Sequence, residues 1–282
     1  MKDARQEVEK ILESRNRQDA NAADLARSLV KLSKELYGQE DRFIYELLQN
    51  ANDSAKNGAK VQVAFTVVGG CWLVVSHDGK GFNNADVLGL TSVGLSSDKR
   101  ENADAIGYKG IGFKSVFAVS EWVCIQSNDY RFRFDRSRWP SPSTTPWQIL
   151  PIWTEPTHVP EPVREQLAAC TERVAFAIRM RDDFDVFACL QGVFKNPNIL
   201  LFLTHVSAIE LALRTPHRLE RQVNGQEIRS IKTARSLAAG SPGPSPSRCR
   251  LTSSRNWRRT RTTRRNCAAR PVRASPLPPR WT

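Results

Sequence analysis

The chain has 282 residues, 40% apolar and 25% charged, enough for a sizeable core and unlike a disordered or fibrous composition. Its formal charge of +13 suggests a nucleic-acid binder until the charge is located: 13 of the 42 basic residues, and none of the 29 acidic ones, lie after residue 230. The first 230 residues therefore carry 29 charges of each sign, which removes the argument for a nucleic-acid surface on the folded part.

In chain order, Lys2 to Arg15 carries Val8, Ile11 and Leu12 at helical spacing. Asn21, a candidate N-cap, opens a second helix with Leu25, Leu29, Leu32 and Leu36 on one face, ended by Gly38. Asp41 to Lys56 forms the third. At roughly 100° per residue its Phe43, Ile44, Leu47, Leu48, Ala51 and Ala55 share one arc that must be buried. Val61 to Val68, Gly69-Gly70 and Cys71 to Ser76 read as a β-hairpin ending on His77-Asp78-Gly79-Lys80-Gly81-Phe82.

Asn83 to Ala105 is polar and reads as a functional loop, followed by Ile106 to Ser115, IGYKGIGFKS. Trp122 to Ser127 and Tyr130 to Phe134 form a hairpin around Asn128-Asp129, and the Pro-, Ser- and Thr-rich Trp139 to Pro162 reads as a connection. Arg173 to Met180 is a strand, Asp183 to Phe194 a helix, and Leu200 to Leu213 ends as a strand. Leu219 to Ile228 is a hairpin around Asn224-Gly225. Strands and helices segregate, so the fold class is α+β built on antiparallel hairpins. From Ile231 the composition turns to Ser, Pro, Arg, Thr and Ala. Such a segment cannot bury enough apolar surface to fold alone, and a frameshift or retained intron would account for it.

No apolar stretch approaches a membrane span and no secretory signal is visible, so no membrane association is expected. The six cysteines form no C-x-x-C pair or zinc-spaced cluster, so a reducing compartment, cytoplasmic or nuclear, is the expectation.

Three motifs carry chemistry. On the third helix Glu46, Asn50 and Asp53 lie along one edge within about 60°, flanking the apolar arc. Glu46 can polarise a water, and Asn50 offers a neutral oxygen to a hard cation such as Mg2+. At the hairpin end, Gly79 and Gly81 leave backbone over which a flat ring could slide. Of His77 and Asp78 only one should face it, because strand neighbours point to opposite faces. Gly107, Gly110 and Gly112 then let backbone N–H groups approach an anion at the start of a helix. The register fits neither a Walker A loop, since Phe113 separates Gly112 from Lys114-Ser115, nor a G-x-G-x-x-G dinucleotide loop.

In this order, ELLQNANDS, HDGKGF and IGYKGIGFKS resemble the GHKL superfamily of ATPases, which includes gyrase B, heat-shock chaperone ATPases, histidine kinases and MutL. The strings ELLQNAND and GYKGIGFKSVF are most similar to the sacsin and plant NO VEIN branch. The resemblance runs from about Ala22 to Leu213. It implies a Bergerat fold: a two-layer α/β sandwich with a mixed, mainly antiparallel sheet and helices on one face. It also implies ATP and Mg2+ as cofactors. Glu46 would be the general base, Asn50 the Mg2+ ligand, and Asp53 a support of the base pocket. The family's adenine motif is Asp-x-Gly-x-Gly. Aligning it on Gly79 and Gly81 puts His77 where the Asp belongs and Asp78 on the variable position. Gly107, Gly110 and Gly112 would wrap the phosphates, with Lys109 a candidate phosphate contact, Lys99 a weaker one, and residues 83–105 the lid.

The expected organisation is an N-terminal helical extension (1–20), an ATP-binding domain (21–230) and a disordered or aberrantly translated tail (231–282). Family members often need a dimer or a second domain for hydrolysis, so a homodimer or a partner protein joins ATP among the implied partners. Slow Mg-dependent hydrolysis with lid closure, in a chaperone-like or regulatory protein, is the expected function. A non-hydrolysing nucleotide-binding module, a fragment of a larger protein, stays open beside it.

Overall fold

A computed structural model describes residues 3–35, 41–56, 58–93, 112–170, 174–213, 216–221 and 228–232. The tail from residue 233, the glycines at 107 and 110, Lys99 and Lys109 lie outside them.

Helices α1 (Ala4–Arg15), α2 (Ala20–Glu35) and α3 (Arg42–Asp53) come first. The expected periodicity holds: Val8 and Ile11 of α1 are buried, and so are Phe43, Ile44, Leu47, Leu48 and Ala51 of α3. The cap of α2 is not Asn21 but Asp19, whose Oδ1 accepts from Ala22 N at 2.8 Å. The side chain two residues earlier reaches the orphan amide because it lies outside the first turn.

Strands β1 (Val61–Val68) and β2 (Trp72–His77) form the first hairpin, with Gly69 and Gly70 both at positive φ in its turn. The expected polar loop then contains helix α4 (Asn84–Leu90), opened by a capping box in which Asn83 and Asp86 satisfy each other's backbone N–H. A 3-10 helix follows at Gly112–Ala118, at the place where the glycine motif is expected to open a helix. Strands β3 (Ser120–Ser127) and β4 (Tyr130–Asp135) turn at Asn128, a non-glycine at φ 51°.

The expected connection holds 3-10 turns, the short strand β5 (Ile152–Trp153) and the start of helix α5 (Glu161–Ala169), which Pro160 and Pro162 introduce rather than prevent. Strand β6 (Val174–Met180), helix α6 (Val186–Phe194), a 3-10 turn at Pro197–Phe202, and strands β7 (Val206–Ala212), β8 (His217–Arg221) and β9 (Ile228–Lys232) complete the described chain.

One nine-stranded sheet runs β5-β4-β3-β6-β2-β1-β7-β8-β9. Its pairs are antiparallel except β1 with β7, which are parallel, so the sheet is mixed and mainly antiparallel as expected. Alternation sorts the strands onto two faces. Val63, Phe65, Val75, Ile125, Phe176 and Ile178 face inward, in one core with α1, α3, α4, α6 and the 3-10 helix at Gly112. Trp72, Val74, Cys124, Ala175 and Ala177 face outward, where Val163 and Leu167 of α5 cover them. The α+β sandwich is therefore present. Its helical layer is on one face as expected, with α5 added on the other.

Among the described residues no helix is long and apolar enough to cross a membrane.

Candidate functional site

Helix α3 is amphipathic, so packing its apolar arc under the sheet fixes the rotation of its Glu46–Asn50–Asp53 edge. The fold then brings Glu46 of that edge to Gly112, and Ser54, which follows the edge, to Gly79.

At the first end, Glu46 lies against Gly112. A Cβ added to Gly112 would overlap the Glu46 carboxylate, so only glycine lets the two approach. Glu46 Oε1 also faces Arg42 Nη2 at 3.5 Å, one turn back on the same helix. Arg42, at the N-terminal end of the edge, is a partner outside the Glu46–Asn50–Asp53 spacing. Asn50, next along the edge, is half-buried, as is Asp53 at the last residue of α3. The 3-10 turn at Gly112 is closed locally by Ser115, whose Oγ donates to Gly112 O at 2.7 Å.

At the second end, His77 and Asp78 part company as strand alternation requires. His77 points into the protein and is 2% exposed. Asp78 is exposed, and its Oδ1 accepts from Gln62 N at 2.8 Å, tying the strand end to β1. Asp78 thus serves the hairpin, and the strand is not shifted to present it inward.

The His77 Nδ1 accepts the Gly79 N–H at 3.3 Å and lies 3.4 Å from Ser54 Oγ. An amide can only donate, so Nδ1 carries no proton and the neutral ring has its N–H on Nε2. Burial lowers the His77 pKa to about 4, which keeps the ring neutral. The acceptor nitrogen of His77, which stands where the family's adenine-binding Asp belongs, is therefore already occupied by Gly79.

The two glycines of this motif are filled from inside. A Cβ on Gly79 would overlap Ser54 Oγ, and one on Gly81 would overlap the Asn128 amide. Ser54 caps α3 and holds the motif further, since Lys80 N donates to Ser54 O at 2.8 Å. Asn128 Nδ2 donates to Phe82 O at 2.9 Å, and Phe82 N donates to Ser127 Oγ at 2.8 Å. The turn is thus clamped between the end of α3 and the β3–β4 hairpin. The sequence reading did not single out Ser54, which adjoins Asp53, and gave Asn128 only as a turn residue.

A cavity of about 470 Å3 lies on the other flank of the buried arc, lined by Tyr45, Gln49, Val193, Ile199, Phe202 and Leu203 among others. Leu48, Gln49 and Asn52 of the ELLQNANDS string border it, whereas Glu46, Asn50, Asp53, His77, Gly79, Gly81 and Gly112 do not. Among the described residues no cluster of His, Cys, Asp and Glu is arranged to hold a metal ion. Cys124 is a buried free thiol.

Of the groups implied for Mg·phosphate, Glu46 lies against Gly112, and Asn50, whose amide oxygen is the kind of ligand Mg2+ takes one or two of, is half-buried one turn further along α3. At the base end Ser54 and Asn128 occupy the space beside the glycines.

No family model matches the chain. Over 116 residues, 41% of the chain, it is 43% identical to the Protein NO VEIN of Arabidopsis thaliana. That match covers 4% of the relative's length, so the chain corresponds to a small part of that protein.

Proposed function

We propose that the chain carries a GHKL-type nucleotide-binding module that binds Mg·ATP along the Glu46–Asn50–Asp53 edge and hydrolyses it slowly. The observation that carries this reading is the approach of the Glu46 carboxylate to Gly112, two residues far apart in sequence. A catalytic base and a phosphate-binding backbone must adjoin if a water is to be held between them. The likeness to part of a NO VEIN protein supports the assignment to that branch.

On this reading Glu46 orients the attacking water and takes its proton as the bond to the leaving diphosphate breaks. Its partial shielding, with 18% of the side chain exposed, limits competing water. Backbone at Gly112 approaches the phosphate oxygens, and Asn50 supplies a neutral oxygen to the cation. Bound Mg2+ would neutralise phosphate charge. Base recognition is left out of the scheme, since His77 is committed to Gly79. Lid closure and coupling to a larger chaperone-like or regulatory protein belong to the same proposal.

The test is ATP binding and turnover by the full chain and by Glu46→Ala. We expect the variant to bind ATP and to lose turnover. A wild-type chain that binds no ATP ends the nucleotide reading. Binding with no turnover in either protein selects the non-hydrolysing module.

A further inference from the structure

Lys114 lies two residues after Gly112 and is wholly buried. Its Nζ donates to Leu90 O at 2.6 Å, at the end of α4, and to Gln148 O at 3.0 Å. Three aromatic rings enclose it: Nζ is 5.9, 5.8 and 5.4 Å from the ring centroids of Phe113, Phe117 and Phe134. No carboxylate among the described residues pairs with it. The charged group facing it is Arg15 of α1, which bonds Thr91 O and, at 2.8 Å, Ser92 Oγ. The end of α4 is thus gripped by two basic side chains from two other elements.

A desolvated cation without a counter-ion is costly, so the site must return something for it. Burial, with a smaller contribution from Arg15, lowers the Lys114 pKa to about 7. A neutral amine still has two N–H groups, which match the two carbonyls, so both links survive loss of the proton. Within the 3-10 helix, Ser115 ties back to Gly112 O and Ser33 of α2 donates to Lys114 O at 3.4 Å. Moving Lys114 would move Gly112.

We propose that Lys114 is a positioning residue: by bridging Leu90 O and Gln148 O it holds Gly112 against the Glu46 carboxylate and locks that turn to the end of α4. The inference rests on the nucleotide reading for its effect on turnover, and on geometry alone for the lock.

Lys114→Met in the full chain tests both, because methionine fills the aromatic enclosure without a donor. Amide exchange should quicken at least tenfold in Asn84–Leu90 and Gly112–Ala118 and stay unchanged in α3. Turnover of ATP should fall at least tenfold while KM changes less than threefold. Unchanged exchange in the two segments overturns the lock, and faster exchange with unchanged turnover overturns the positioning role. A wild-type chain without turnover removes the hydrolytic reading, and the exchange result then decides the lock by itself. If the variant does not fold, lysine-selective 15N resonance of the wild-type chain decides. One ammonium titrating with a midpoint near 7 sustains the proposal, whereas every lysine titrating near its ordinary 10.5 overturns it.

Discussion

The two ends of α3 use glycine for opposite purposes. At the Glu46 end the absence of a Cβ on Gly112 lets a carboxyl side chain lie beside the backbone. At the Ser54 end the absence of a Cβ on Gly79 lets the protein pack upon itself, with Ser54 and His77 closing the gap. The same residue type in two glycine-rich motifs thus admits a carboxyl group in one and forms a structural joint in the other. What separates them is the neighbour: the far end of the flexible Glu46 side chain, against a serine already bonded to Ala51 O at 2.6 Å.

Gly112→Ala should break the comparison most sharply. The added methyl must push aside the flexible end of Glu46, so folding should survive while turnover falls about 100-fold, a barrier increase of roughly 2.7 kcal/mol. Steady-state ATPase rates beside a melting curve measure both. An unchanged rate with a lowered melting point would make Gly112 a packing glycine like Gly79.

Gly79→Ala should give the converse result. The turn is buried and clamped on two sides, so the overlap with Ser54 should cost about 1–3 kcal/mol of stability. Ser54→Ala in the same chain should restore only part of it, since the Ser54 Cβ would still lie 2.9 Å from the new methyl. Ser54→Gly should restore more. Urea melts of the single and double variants provide the cycle. A loss of ATP affinity without a loss of stability would reassign Gly79 to ligand binding.

The joint should also be acid-sensitive. His77 has a folded pKa of about 4 against an ordinary 6.5, so between these values the unfolded chain binds more protons than the native one. Stability from this group is therefore full above pH 6.5 and falls as the medium is acidified towards 4, by at most about 1.4 kcal/mol per pH unit. His77→Asn should flatten that slope in melts taken across the interval. An equal slope in both proteins would mean that His77 is not held neutral by burial.

How much of this could be read from the chain follows the same division. The buried arc of α3 was legible because helix period and apolar spacing coincide over its length, and rotation of the arc then fixed the Glu46 edge. Helix α4 was not, being seven residues long with Leu88 exposed, although Asn83 and Asp86 spell its capping box. Helix α5 hid behind prolines that read as a connection but sit where a helix begins. The parallel pairing of β1 with β7 joins strands far apart in sequence, which local patterning cannot register. Nor can spacing say what fills the room beside a glycine. Gly79 and Gly81 looked open, and only tertiary packing shows Ser54 and Asn128 in the gap.

The smallest expected effect sharpens the meaning of Glu46. Its Arg42 partner is 54% exposed and the pair is 3.5 Å apart, so the contact should contribute under about 1 kcal/mol. Arg42→Ala should therefore shift the melting point by only a few degrees at most, and leave most of the ATP turnover. If the edge exists for surface pairing, Glu46→Ala should leave ATP turnover as nearly intact as Arg42→Ala does. If Glu46 serves chemistry beside Gly112, the two variants agree in stability and separate in rate, because only one removes the carboxylate from the glycine backbone. Matched rates would return the Glu46–Asn50–Asp53 edge to an ordinary solvated stripe.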